Sequence, residues 1–194
     1  MNIISRLSMA SLLMTAASVG CNAQVAEFGV RGGVSKIQGS NLGSGYSLDD
    51  GWRLGFSMTL NSWNHFGHEF GYGYNRTRLF QSGQDLGGMA IHQGFYDFIV
   101  YPTPEGSKIR PFVAGGGQFS NFVPPGASAT QGQGSNKFGV NYGAGIKARV
   151  SERWLVRFDV RQYLSGKPFQ GDLTSPAGGS LRQNEISVGF SWTL

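Results

Sequence analysis

The chain has 194 residues, a single cysteine, 31 glycines, 13% aromatic residues and a formal net charge of +5 on only 14% charged residues. One cysteine excludes a disulfide-stapled fold, and the basic side chains are scattered through alternating segments rather than gathered into a nucleic-acid-binding stripe, so they read as interior and loop charges. Beyond the N-terminal leader no apolar run approaches the roughly 20 residues a spanning helix needs, which excludes a helical membrane protein and leaves a closed β-barrel as the way to cross a bilayer.

The leader reads as a secretory signal peptide: Arg6 precedes a largely apolar run from Leu7 to Val19, and small residues follow. Cleavage after Ala23 makes Gln24 the mature start and leaves 194 minus 23, or 171, residues as one barrel domain over 24–194. Acylation of Cys21 is the competing reading, weakened by Ser18 at a position where a lipoprotein signal carries an aliphatic residue.

From there the chain falls into segments of about ten residues parted by Gly, Pro, Ser and Asn, the rhythm of a transmembrane barrel. The first, near Ala26 to Lys36, sets Phe28, Val30 and Val34 against Glu27, Arg31 and Ser35. The second, Trp52 to Asn61, alternates Trp52, Leu54, Phe56, Met58 and Leu60 with Arg53, Gly55, Ser57 and Thr59. In the third, Phe66 to Phe80, Phe70, Tyr72 and Tyr74 oppose Glu69, Gly71, Gly73 and Asn75. The fourth, Met89 to Tyr101, is apolar on both faces; taking Tyr96, Phe98 and Val100 as the lipid face sends Asp97 inward, with Ile99 and Tyr101. The fifth, Arg110 to Phe122, carries the triplet Gly115 to Gly117, which leaves its register open; Phe119 is read as inward.

The sixth segment, Phe138 to Val150, alternates Phe138, Val140, Tyr142, Ala144, Ile146 and Ala148 with Gly139, Asn141, Gly143, Gly145, Lys147 and Arg149. The seventh, Trp154 to Tyr163, turns Val156, Phe158 and Val160 one way and Arg157, Asp159 and Arg161 the other. The eighth is the C-terminal run Glu185 to Leu194, where Ile186, Val188, Phe190, Trp192 and Leu194 form one wholly apolar face. A strand with its largest side chains at its end must pair on both edges or expose a sticky edge, so it reads as the closing strand. The fold class expected is all-β: an eight-stranded antiparallel up-and-down barrel.

Connections at 61–65, 102–109 and 151–153 are short, while 38–51, 123–137 and 164–182 are long and rich in Gly, Ser and Pro; 81–88 is brief for its set. Outer-membrane barrels keep short turns periplasmic and long loops outside, which orients the chain. Volume decides which face meets lipid. The lumen of eight strands is only just wide enough for side chains to fill, so the Trp, Phe, Tyr and Leu rows do not fit inside, whereas the Gly, Ser and Asn face with a few long charges does. Trp63, Trp154 and Trp192 near the short turns and Trp52 near a long loop fit interfacial girdles.

The run from Phe138 to Trp154, continuing to Arg161, together with Arg110-Pro-Phe-Val-Ala-Gly-Gly-Gly117, resembles the small outer-membrane β-barrel proteins related to the OmpA transmembrane domain, OmpX and OmpW. The resemblance implies an outer-membrane protein of a Gram-negative-type bacterium, escorted by periplasmic chaperones and inserted by the barrel-assembly machinery, with membrane lipid as its surroundings, no cofactor and a monomeric state. It also implies an insertion signal in Phe190, Trp192 and Leu194, although such chains usually end in Phe. The peptidoglycan-binding domain of OmpA is not expected, so cell-wall anchoring is not carried over.

Candidate chemistry is sparse. His65, His68 and His92 lack the Cys or carboxylate neighbours of a metal geometry. Barrel enzymes that deacylate lipid A need an outward His and Ser near the barrel's end, and Arg157-Phe-Asp-Val-Arg-Gln-Tyr163 carries neither, so no enzyme is expected. The remaining candidate is the inward charge set Glu27, Arg31, Arg53, Glu69, Asp97, Lys147, Arg149, Arg157, Asp159, Arg161 and Glu185, nearly balanced in sign and expected to plug the lumen around Asp159. Envelope integrity or surface interaction through the loops is the expected function. A conduit for apolar solutes is the rival, resting on inward Ile99, Tyr101 and Phe119.

Overall fold

Strict alternation from Glu185 onward becomes, in the computed structural model, the last strand of a closed sheet. The structure describes residues 25–38, 40–128, 134–169 and 179–194. The expected signal peptide, the cleavage after Ala23 and Cys21 lie outside the described residues.

Among the described residues ten strands are formed: β1 (Val25–Gln38), β2 (Asn41–Gly43), β3 (Tyr46–Leu48), β4 (Gly51–Trp63), β5 (Phe66–Gln81), β6 (Gln84–Val100), β7 (Ile109–Val123), β8 (Ser135–Arg149), β9 (Trp154–Gly166) and β10 (Ser180–Thr193). Eight of them, β1 and β4 to β10, pair antiparallel with their neighbours in sequence, and β10 returns to β1 along the register Glu27↔Thr193 to Gln38↔Arg182. Closure leaves no edge in the barrel wall, so its backbone donors and acceptors are met within the sheet.

Side chains alternate across the wall as the pleat requires. Phe56, Phe158 and Phe190 face outward, Phe190 with 60% of its surface exposed, while Arg53, Lys147 and Arg161 face inward and are at most 2% exposed. Two aromatic belts bound the apolar band. One joins Trp63, Phe66 and Phe98 at the short-turn end, with ring centroids 6.0 and 5.6 Å apart, and the other pairs Trp52 with Tyr74 at 5.6 Å near the long loops. Indole and phenol rings suit that boundary because one end of each is apolar and the other wet.

Three details differ from the sequence expectation. Phe119 faces outward, 37% exposed, because β7 pairs with β8 at Phe119↔Phe138 and Gly117↔Val140, inside a lipid-facing row. The glycine triplet reads alike on both faces, so only pairing reveals that register. The expected connection 81–88 is a tight turn at Ser82 and Gly83, both at positive φ (50° and 85°), and the two flanking strands run up to it. The long connection 38–51 is partly folded: Gly43, Ser44 and Gly45, all at positive φ, turn β2 into β3, and β3 pairs with β5 from Tyr46↔Gln81 to Leu48↔Leu79.

Candidate functional site

The lumen is filled in layers. Nearest the short turns, Lys147 on β8 donates to the Glu27 carboxylate at 2.5 Å and to the Tyr101 hydroxyl at 2.8 Å, and Asn61 donates to the other Glu27 oxygen at 2.8 Å. Opposite Lys147 in the β7–β8 ladder, Arg110 lies 3.7 Å over the Tyr101 ring and pairs with Glu105 at 2.5 Å.

The middle layer is ionic. Arg157, Asp159 and Arg161 alternate along β9 and therefore all point inward. Glu69 on β5 receives Arg161 at 2.7 Å, Arg31 at 3.3 Å, the Thr59 hydroxyl at 3.0 Å and a close pair with Arg157. Asp159 receives Arg157 at 2.6 Å and Arg161 at 3.2 Å, and Asp97 pairs with Arg161. Phe95 and Phe112 lie between the guanidinium groups, with Arg31 5.0 Å from the Phe95 ring and Arg157 4.7 Å from that of Phe112. Face-on contacts of this kind stabilise cations already drawn out of water.

Above it, Glu185 on β10 holds Arg53 at 2.8 Å and Arg31 at 3.6 Å. Arg53 also donates to the Tyr163 hydroxyl at 3.2 Å and bonds Gln93, whose amide nitrogen lies 3.1 Å from acceptors on Gln118, Ser120 and Gln183. The lumen then ends in hydrocarbon. Ile37, Leu42, Leu48, Leu79, Met89, Ile91, Phe122, Phe169 and Leu181 form one buried cluster across the long-loop mouth, with two members on the β2–β3 hairpin.

Glycine on the inner wall makes room for these groups. A Cβ on Gly73 would strike the Arg53 guanidinium, and one on Gly189 would strike Arg31, which sits between Gly55 and Gly189 in the ladder. One gap beside Arg31 and Arg157, between Ser57 and Ser191, is too narrow for a water molecule.

Ten of the eleven expected interior charges therefore come together, five cations with five carboxylates. Arg149 does not join them. Its guanidinium lies at the short-turn rim, 3.7 Å from Glu105 and 3.0 Å from the Glu152 carbonyl, because the strand ends there and the side chain swings out of the lumen. The hub is also displaced from the expected Asp159 to Glu69, which gathers three guanidinium groups to Asp159's two, and Lys147 bonds Glu27 rather than Asp159. Sequence reasoning missed Arg110, the glutamine and tyrosine layer, and the apolar cap. Gln93, Gln118 and Gln183 carried little signal, since Gln93 stands between His92 and Gly94, Gln183 between Arg182 and Asn184, and Gln118 directly after the glycine triplet.

The expected insertion signal Phe190, Trp192 and Leu194 lies on the outer face, and the Leu194 amide bonds the Ala26 carbonyl at 2.9 Å. The histidines are engaged singly: His65 Nδ1 lies 2.9 Å from the Tyr101 carbonyl, His68 2.8 Å from the Tyr96 hydroxyl and His92 2.5 Å from that of Tyr72. Among the described residues no three His, Cys, Asp or Glu side chains converge as a metal site.

A family profile described as outer membrane protein beta-barrel domain matches residues 7–193. No curated protein matches the chain. Among solved structures, the barrel is similar to Ail, the attachment invasion locus protein of Yersinia pestis, at 12% identity, covering 88% of this chain and 98% of that one with a TM-score of 0.55. Neisserial surface protein A is similar at 14% identity over 88% and 96% of the two chains, TM-score 0.58. The outer membrane protein AlkL in lipid bilayers is similar at 15% over 88% and 89%, TM-score 0.51. At such identities the likeness is one of fold.

Proposed function

The chain belongs to the outer membrane protein β-barrel domain family, and from that premise we propose that it is a plugged, non-enzymatic barrel serving envelope integrity or surface interaction through its long-loop end. The observation that carries this reading is the filled lumen: an ionic layer centred on Glu69 lies beneath an apolar cap. An ion crossing it would have to separate buried pairs, and removing one partner of such a pair typically costs roughly 3–5 kcal/mol. The surface left for partners is then the loop face, held above the Trp52–Tyr74 belt by the wall.

In this reading the leader exports the chain, periplasmic chaperones and the barrel-assembly machinery deliver it with Phe190, Trp192 and Leu194 as the insertion signal, and the barrel stands as a monomer in outer-membrane lipid. The short turns are periplasmic. Whole-cell cysteine labelling should reach Leu86→Cys at the β5–β6 tip and miss Ser151→Cys in the turn before β9; the opposite pattern would invert the topology. Planar-bilayer recording of purified protein should give no steady conductance, and a large steady current would overturn the plug.

A conduit for apolar solutes is the second reading. It is favoured by the hydrocarbon at both ends of the lumen, the long-loop cap and the smaller cluster of Ile99, Tyr101, Phe112 and Ala114. Phe119, turned to the lipid side, no longer contributes to it. Uptake of an apolar solute by vesicles containing the barrel, lost when the cap or the Ile99 cluster is made polar, would favour this reading over the first.

A further inference from the structure

The long-loop mouth of the lumen is closed by two kinds of parts. Ile37, Leu79, Met89, Ile91, Phe122 and Leu181 stand on barrel strands, which are paired on both sides along most of their length. Leu42 stands instead on β2, Leu48 on β3 and Phe169 in the turn after β9. Those three fill the bowl that the strand residues line, over the layer of Gln93, Gln118 and Gln183.

The three are fastened unequally. β3 pairs with β5 from Tyr46↔Gln81 to Leu48↔Leu79, and backbone bonds close that ladder at both ends, from the Ser82 amide to the Gly45 carbonyl at 2.8 Å and from the Asp49 amide to the Arg78 carbonyl at 3.1 Å. β2 pairs with β3 alone, along a ladder broken by a register shift between Asn41 and Gly43, and its Gly43 amide donates to the Asn41 side chain at 2.9 Å. Its far edge is fastened by Lys167, whose Nζ donates to the Asn41 carbonyl at 2.6 Å. Phe169 sits at φ 58°, a left-handed conformation that a bulky side chain rarely adopts, and is kept there by its burial and by the bond from its amide to the Ser135 hydroxyl at 3.1 Å. Strain of this kind persists only where the surroundings over-determine it.

We propose that β2 is the flap of a lid, hinged on the β3–β5 ladder and latched by Lys167 and Phe169, which swings off the mouth while the barrel wall and the ionic layer stay closed. Opening parts the Lys167–Asn41 bond, draws Leu42 out of the cluster and lets the Phe169 backbone relax, yet it breaks no ladder of the wall. Such local openings are drawn from the least-fastened parts of a molecule. The open mouth presents a blind apolar bowl to the long-loop side, floored by the glutamine carboxamides. Because the lid lies above the charges, its motion is independent of the plug: conductance tests one and accessibility of the mouth the other.

The test is labelling of Met89→Cys by a water-soluble methanethiosulfonate, in a Cys21→Ser background, on the full barrel in lipid nanodiscs. Met89 has no exposed surface, so a thiol there reacts only while the lid is open and the rate follows the open population. Labelling should be slow, faster by roughly tenfold in Leu42→Ser, which weakens the apolar grip of the flap, and by roughly threefold in Lys167→Met, which removes the latch. Ser187→Cys, inside the lumen between Gly33 and Asp159 in the ladder, should stay unlabelled throughout. Heat-modified gel mobility checks folding, and Lys167→Met alone gives the answer if Leu42→Ser does not insert. No labelling of Met89→Cys, a rate unchanged in either variant, or labelling of Ser187→Cys in step with that of Met89→Cys, which marks loosening of the whole wall, would each overturn the lid.

Discussion

In the middle of the lumen Glu69 holds three guanidinium groups on a carboxylate with no exposed surface, whereas at the long-loop mouth Ile37, Leu79, Met89, Phe122 and Leu181 close the same cylinder with hydrocarbon. Both regions exclude water, yet they respond differently to change. A buried ion pair is a set of mutual obligations, because each charge was taken out of water on condition that its partner is there. An apolar cluster asks mainly for volume and shape, and a neighbour of similar size replaces a lost side chain in part.

Glu69→Ala should be the most damaging single change, lowering stability by roughly 3–5 kcal/mol because Arg31, Arg157 and Arg161 are left facing one another. Urea unfolding in lipid vesicles measures it. Asp159→Ala should lose less, since Arg157 and Arg161 keep Glu69; equal losses would return the hub to Asp159. Leu181→Ala in the cap should cost about 2–3 kcal/mol and Leu181→Met under about 1.5. Neither should open the barrel to ions, because the charged layer lies beneath. A current in Leu181→Ala would mean that the cap alone is the seal.

A narrower test replaces both members of one pair. Glu27→Gln with Lys147→Met should be milder than Lys147→Met alone by about 1–2 kcal/mol, since the double change leaves no lone carboxylate. Strict additivity would show that the pair is not coupled. The smallest effect belongs to the exposed Arg78–Asp85 pair, whose side chains are 66% and 37% exposed. Arg78→Ala should alter stability by less than about 0.5 kcal/mol, and salt should erase even that. A loss comparable with that of Glu69→Ala would break the contrast between buried and exposed charge.

Most of the ionic layer was legible in the sequence and the cap was not, for one physical reason. Charges such as Arg157, Asp159 and Arg161 alternate with Phe158 and Val160, so the two sides of the wall announce themselves with period two. Near the mouth Met89, Ala90 and Ile91 are all buried, because the outer side of the strand is covered as well, and the alternation vanishes. Gly115 to Gly117 erases it in β7 in another way, leaving Phe119 free to be read on either face.

Local chemistry by itself therefore determined that this chain is a wall of alternating strands with lipid on one side and paired charge on the other. Strand count and the identity of ten interior charges followed from periodicity and the width of an eight-stranded lumen. Which charges meet was decided only by tertiary structure. Glu69 meets Arg161 across 92 positions of sequence, and Lys147 meets Glu27 across 120. Those meetings depend on how far each strand slides along its neighbour before the barrel closes, a quantity summed over all eight pairings and written in none of them singly.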